Sequence, residues 1–132
     1  MSVTDLQEEL KTVQMLLRLL QQEYSVLKAR DLPALEQVVT EKQRCVEQLR
    51  DQIAHRVDNL RSRGLTADAQ GMVAWLNQLP AAERVTATRL WTALEQAVPQ
   101  LHQQNDINGA VIAAGRSHVE RSLAILSGRD SL

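Results

Sequence analysis

Apolar residues recur along the first segment at Val3, Leu6, Leu10, Val13, Leu17, Leu20, Tyr24 and Leu27, in unbroken alternation of three- and four-residue steps. That spacing holds one stripe on one face of an α-helix and is the pattern of a helical seam. It predicts a helix of about 28 residues, about 40 Å long. Met15, Leu16 and Leu19 widen the stripe, so this helix is expected to touch more than one neighbour. Pro33 disfavours a helical Leu32, and Asp31 is placed to cap a second helix beginning just after it. The second helix is predicted from Pro33 to Arg63, with Leu35, Val39, Val46, Leu49, Ile53, Val57 and Leu60 on its apolar side and Gly64 as its stop. Lys42 and Arg56 fall at seam spacing, where their stems can cover apolar surface while the charges reach water. The link around residues 29–32 is short, so the two helices are expected to fold back as an antiparallel hairpin.

Beyond Gly64, Thr66 is placed to cap a short helix from Ala67 to about Gln78 that carries Met72, Trp75, Leu76 and Leu79. Pro80 suits the first turn of a last helix, whose period continues through Val85, Trp91, Leu94, Val98 and Leu101 toward the C-terminus. Pro99 removes the hydrogen bond to the Glu95 carbonyl and is expected to kink that helix. Asn108-Gly109 is a turn-like dipeptide, but a continuous, locally weakened helix is the favoured reading. The expected fold class is all-α: an antiparallel hairpin of long helices over residues 1–63, packed with a short helix and a kinked C-terminal helix over 66–128. Together they form one elongated helical bundle spanning 1–132.

The last helix is greasier around its circumference than one packing face requires. Leu101, Asn105, Asn108, Ile112, Val119, Leu123 and Leu126 fall on one arc, and Ile107, Val111, Ala114, His118 and Ile125 on a second arc beside it. The first arc is expected to face the hairpin. The second either wedges against another element of the same bundle or is a surface for a partner. Asn105 and Asn108, on the inner arc, either fix register or recognise a ligand backbone. Gly109 and Gly115 each cost about 1 kcal/mol against alanine within a helix. Close backbone approach in the bundle is the leading explanation, with adaptability for a partner beside it.

Composition narrows the function classes. Trp75, Trp91 and Tyr24 are the only aromatics, so the core must be built from Leu, Val, Ile and Ala, and stacking on nucleobases is unavailable. With a net charge of −1 and its densest basic cluster confined to Arg61 to Arg63, the chain offers no field for nucleic acid or an anionic membrane. A lone Cys45 forms no internal disulfide and reads as a small buried apolar group. The first residues lack the pattern of a signal peptide, and no apolar run approaches the ~20 residues of a membrane span. These features indicate a cytoplasmic protein. His55, His102 and His118 lie far apart without HExxH or bundle-type metal spacing, and the pairing of His102 with Asp106 supplies two weak ligands where a metal needs more. Gly109 and Gly115 match neither a phosphate loop nor a dinucleotide turn. No catalytic residues, metal or cofactor are therefore expected, and the residues alone point to a soluble helical interaction protein.

Three stretches carry a resemblance to a known family. They are Leu20-Gln-Gln-Glu23 followed by Ala29-Arg-Asp-Leu-Pro-Ala-Leu35, then Thr40-Glu-Lys-Gln43 leading to Leu49, and then Asn105-Asp-Ile-Asn-Gly109 with Ile112, Glu120 and Leu123-Ala-Ile-Leu126 beyond. In these the chain resembles the FlgN family, flagellar type III export chaperones for the hook-filament junction proteins. The resemblance implies an all-helical cytoplasmic protein of bacteria whose C-terminal amphipathic helix binds the terminal helices of FlgK and FlgL and hands them to the export apparatus. A gate component is then a further partner, and neither nucleic acid nor stable membrane insertion is implied. The partner-binding residues expected on this basis are Asn105, Ile107, Asn108, Gly109, Val111, Ile112, Ala114, His118 and Ile125. The alternative is a structural coiled-coil adapter in which the stripe from Val3 to Leu27 self-associates, with a homodimer as its mark.

Overall fold

The computed structural model describes the backbone of residues 1–126 and the side chains of residues 1–116, 121 and 124. Four helices follow one another: α1 (Val3–Ala29), α2 (Leu32–Ser62), α3 (Ala69–Asn77) and α4 (Ala81–Leu126), with no strand among the described residues. Their ends are set by local chemistry. Ser2 and Asp5 form a reciprocal capping box at the start of α1, the Asp5 amide donating to Ser2 Oγ at 3.1 Å and the Ser2 amide to Asp5 Oδ2 at 2.8 Å. At the hairpin turn Arg30 adopts a left-handed conformation with φ 55°, and its amide and that of Asp31 donate back to the Leu27 and Val26 carbonyls. Asp31 Oδ1 then accepts the Ala34 amide at 3.2 Å, the cap read from the sequence. Gly64, at φ 73°, supplies the turn after α2.

The cap of α3 is Asp68, two residues after the Thr66 expected from the sequence. Its carboxylate accepts the Gly71 amide at 2.9 Å, and the Thr66 hydroxyl spends its proton on the same oxygen at 2.6 Å. The Thr66 hydroxyl first, and then the Gly71 amide, hold the Asp68 carboxyl below the usual carboxylate range. Gly71 is required there, because a Cβ would overlap the Thr66 carbonyl oxygen. The Arg84 guanidinium donates to the Asn77 and Leu79 carbonyls and seals the end of α3 against the start of α4. α4 runs on through Pro99 and through Asn108-Gly109 for 46 residues, as the continuous reading anticipated.

α1 is the central helix. It packs along both α2 and α4, whereas no Cα of α2 comes within 8 Å of a Cα of α4 among the described residues. Leu6 and Val13 share a cluster with Ala87 and Leu94, and Leu20 and Glu23 meet Asn108, so α4 runs parallel to α1 and antiparallel to α2. The buried line of α1 differs from the all-apolar seam expected of it. It follows Leu6, Glu9, Val13, Leu16, Leu20 and Glu23, while Leu10, Leu17 and Tyr24 are partly covered and Met15 is exposed. Having two long neighbours moves the most enclosed line away from the plain stripe and places two carboxylates on it. Each carboxylate meets a cation from α2. Arg56 forks onto Glu9 at 3.0–3.2 Å while lying over the Trp91 ring, and Lys42 Nζ donates to Glu23 Oε2 at 2.6 Å. These are the two basic residues at seam spacing; their charges are paired inside the bundle and not sent to water.

α3 lies between α2 and α4, with its backbone near both and not near α1. Its Met72, Trp75 and Leu76, at i, i+3 and i+4, join Leu6, Val13, Leu60, Ala87 and Leu94 in one buried cluster. A second cluster of Leu16, Leu19, Leu20 and Cys45 continues the core toward the hairpin turn.

Candidate functional site

Three seams meet along the bundle. Along the bundle, spacing in steps of three and four runs through Leu60, Arg56, Ile53, Leu49, Val46, Lys42, Val39 and Leu35 of α2, beside the buried Val38 and Cys45, and through Ala87, Trp91, Leu94, Val98, Leu101, Asn105, Asn108 and Ile112 of α4. Where α3 covers these seams, Leu60, Ala87 and Leu94 are buried. Past the end of α3 the same seams are half bare: Ile53 is 37% exposed, Val98 47% and Ile112 43%. The gap between α2 and α4 first forms a hollow of about 230 Å³ over Leu16 and Leu20. Toward the hairpin turn it widens into an apolar cleft of about 550 Å³. Val26 and Leu27 of α1, Leu35 and Val39 of α2, and Val111, Ile112 and Gly115 of α4 line the cleft, with Arg30, Asp31 and Leu32 at its mouth.

A polar bridge separates hollow from cleft. Asn108 Nδ2 donates to the Leu20 carbonyl at 2.8 Å and to Glu23 Oε1 at 2.9 Å, and Asn108 Oδ1 accepts from Gln104 Nε2 at 3.0 Å. With Lys42 on the other carboxylate oxygen, α1, α2 and α4 are tied at one level. Both donors of the Asn108 amide are consumed, and Asn108 is 1% exposed, so this residue sets the register of α4 and has nothing left for a ligand backbone. Asn105, expected on the same inner face, lines the hollow and is exposed there.

The structure redraws the two arcs of α4. As far as Asn108 one arc faces the hairpin. Beyond it α1 runs out: Gly115 lines the cleft together with Arg30 and Asp31, the last residues of the hairpin turn. The backbone of α4 continues beyond Gly115 for about 16 Å at 1.5 Å per residue. Val111 from one expected arc and Ile112 from the other consequently share the cleft. Ile107, Gly109 and Ala114 are exposed outside it, and the side chains of His118 and Ile125 lie outside the described residues. The glycines also require a correction. A Cβ on Gly109 or Gly115 would meet nothing within 4 Å, so neither serves close backbone approach in the bundle. Sequence reasoning missed the opposite wall. Val26, Leu27, Leu35 and Val39 carry ordinary seam spacing, and they form a surface because no described element covers them.

The cleft is suited to burying apolar side chains. Glu23 at its inner end has both oxygens engaged, and Asp31 at its mouth is committed to capping α2. Cys45 lies under the second core cluster, its thiol donating to the Thr12 carbonyl at 3.3 Å, and burial pushes the thiol pKa up. His55 and His102 are exposed, and among the described residues no group of three or more His, Cys, Asp or Glu could hold a metal ion. No described helix is long and apolar enough to cross a membrane.

Comparison with known proteins bears on this arrangement. The family model for FlgN protein matches residues 3–131. No curated protein sequence matches the chain. Among solved structures, the fold is similar to a crystal structure of a candidate flagella synthesis protein FlgN from Pseudomonas aeruginosa, with a TM-score of 0.75 and 25% sequence identity. The match covers 83% of this chain and 84% of that one.

Proposed function

The chain belongs to the FlgN family, and from that premise we propose that it is a cytoplasmic, non-enzymatic chaperone of flagellum synthesis. In this reading it binds the terminal helical segments of the hook-filament junction proteins, FlgK and FlgL in type, keeps them from assembling early and delivers them to the type III export apparatus. Segments that polymerise in a filament carry apolar stripes, and as monomers those stripes need cover. The observation that carries the reading is the unfilled cleft beside Val111 and Ile112, where α4 outruns the hairpin it packs on. An amphipathic helix laid there buries its stripe without any covalent chemistry. Because association costs consume much of the gain from a site of this size, the complex is expected to be reversible, as export demands.

The adapter alternative needs the stripe of α1 to be free. Leu6, Val13, Leu16, Leu19 and Leu20 are instead enclosed by α2 and α4 of the same chain. The chaperone reading is tested by isothermal titration of the purified chain with purified junction proteins. Val111→Asp combined with Ile112→Asp is expected to weaken binding at least 100-fold while circular dichroism stays unchanged. A double variant that binds like the parent removes this site.

A further inference from the structure

The groove that holds α3 at one end of the bundle is the groove that stands open at the other. α3 sits between α2 and α4 above α1 and fills the seam with Met72, Trp75 and Leu76, the i, i+3, i+4 triad of a short helix. Followed in steps of three and four, the α2 wall passes from Leu60 under α3 to Val39 and Leu35 in the cleft, and the α4 wall from Ala87 to Ile112. The two ends lie on the same seams, interrupted by the Glu23–Lys42–Asn108 bridge, and among the described residues this chain supplies an occupant for only one of them.

We infer that the tip of the α1–α2 hairpin, through Val26, Leu27, Leu35 and Val39, is half of the partner-binding site. Its occupant is a partner helix that imitates α3: an amphipathic segment presenting large apolar side chains at i, i+3 and i+4, without charge on that face. The inference rests on the chaperone reading and extends it, since it moves the site from one face of α4 to a groove with walls from three helices. Three observations support the choice of occupant. The cleft lies on the same seams as a groove that a helix of this chain already fills, and inside the mouth formed by Arg30 and Asp31 its walls are apolar apart from Glu23, whose oxygens are engaged. The Glu23–Lys42–Asn108 bridge closes the inner end of the cleft with its hydrogen bonds satisfied, so only the short stretch of helix in the cleft must be apolar. Specificity then comes from the size and spacing of three side chains and not from ion pairing, so binding should depend little on salt.

The experiment uses the full chain with a purified junction protein, following binding by titration calorimetry and folding by circular dichroism and thermal melting. Leu35→Asp and Val39→Asp are the informative variants because both positions are only partly covered, and Ile107→Asp, outside the cleft, is the control. Each hairpin-tip variant is expected to weaken binding at least 30-fold with an unchanged melting curve, and Ile107→Asp less than 3-fold. Val39→Thr, nearly the same size, is expected to cost several-fold and keeps the test informative should an aspartate disturb the fold. Hairpin-tip variants that bind like the parent while Val111→Asp abolishes binding would overturn the inference and leave the chaperone reading standing. No complex with the parent chain at all would overturn both.

Discussion

The two ends of this bundle are built from the same three helices and differ in one respect. At the end where α1 begins, α3 lies in the groove between α2 and α4, and Leu6, Leu60, Met72, Trp75 and Ala87 are enclosed to 1% exposure or less. At the hairpin-turn end no described residue fills that groove; Ile112 keeps 43% of its surface and Leu32 67%. The seams that make the first end a core make the second a cleft. A heptad-like seam is therefore a statement about which residues can be covered, and the chain's own connectivity decides which of them are.

The glycines and the amides sharpen the contrast. Gly71, at the closed end, is held against the Thr66 carbonyl and tolerates no side chain, whereas Gly109 and Gly115, at the open end, face open space. Asn108 stands at the border between the two regimes, as the last fully buried side chain of α4 among the described residues.

The comparison can be broken most severely at the closed end. Trp75→Ala should lower stability by about 3–5 kcal/mol, the range for removing a large buried aromatic, measured by urea unfolding. Leu35→Ala in the open cleft should change it by less than about 1 kcal/mol, because that side chain is only partly covered. Equal losses at the two positions would mean that the ends do not differ as described. Next in size is the border. Asn108→Ala leaves one Glu23 oxygen without its donor and removes the side-chain bond to the Leu20 carbonyl, and should cost about 1–3 kcal/mol. Hydrogen exchange should then speed up in α4 beyond this residue more than before it, a polarity that a general loss of stability would not produce. The smallest effect distinguishes the two glycine environments. Gly109→Ala should stabilise the chain by about 0.5–1 kcal/mol because its helical site is open, while Gly71→Ala should destabilise it by overpacking. Thermal melts of the pair should move in opposite directions.

Much of this architecture was legible in the chain. The steps from Val3 to Leu27, the Asp31-Leu32-Pro33 junction and the Gly64 stop gave the hairpin, because caps and prolines act within a few residues. Continuity through Pro99 and Gly109 was also readable, since a long apolar period outweighs one missing hydrogen bond. Less legible was everything that depends on which helix ends first. Glu9 and Glu23 look like surface residues until Arg56 and Lys42 are seen to reach them across the hairpin. The Ser2/Asp5 box and the Asp68 cap are local signals equally present in the chain. The division of α4 into inner and outer arcs does not hold at Val111 and Ile112, which line one cleft together near the end of α1. Half of the candidate site, on Val26, Leu27, Leu35 and Val39, could not be distinguished from core by spacing alone.

The central claim is that the open end receives from a partner what α3 supplies at the closed end. Methyl-resolved NMR of the full chain titrated with a purified junction protein tests this most directly. The account predicts shift changes concentrated on Val26, Leu27, Leu35, Val39, Val111 and Ile112, with Met72, Leu60 and Leu94 unmoved. Perturbations confined to Val73 and Val85 at the closed end, with the cleft methyls unchanged, would contradict it.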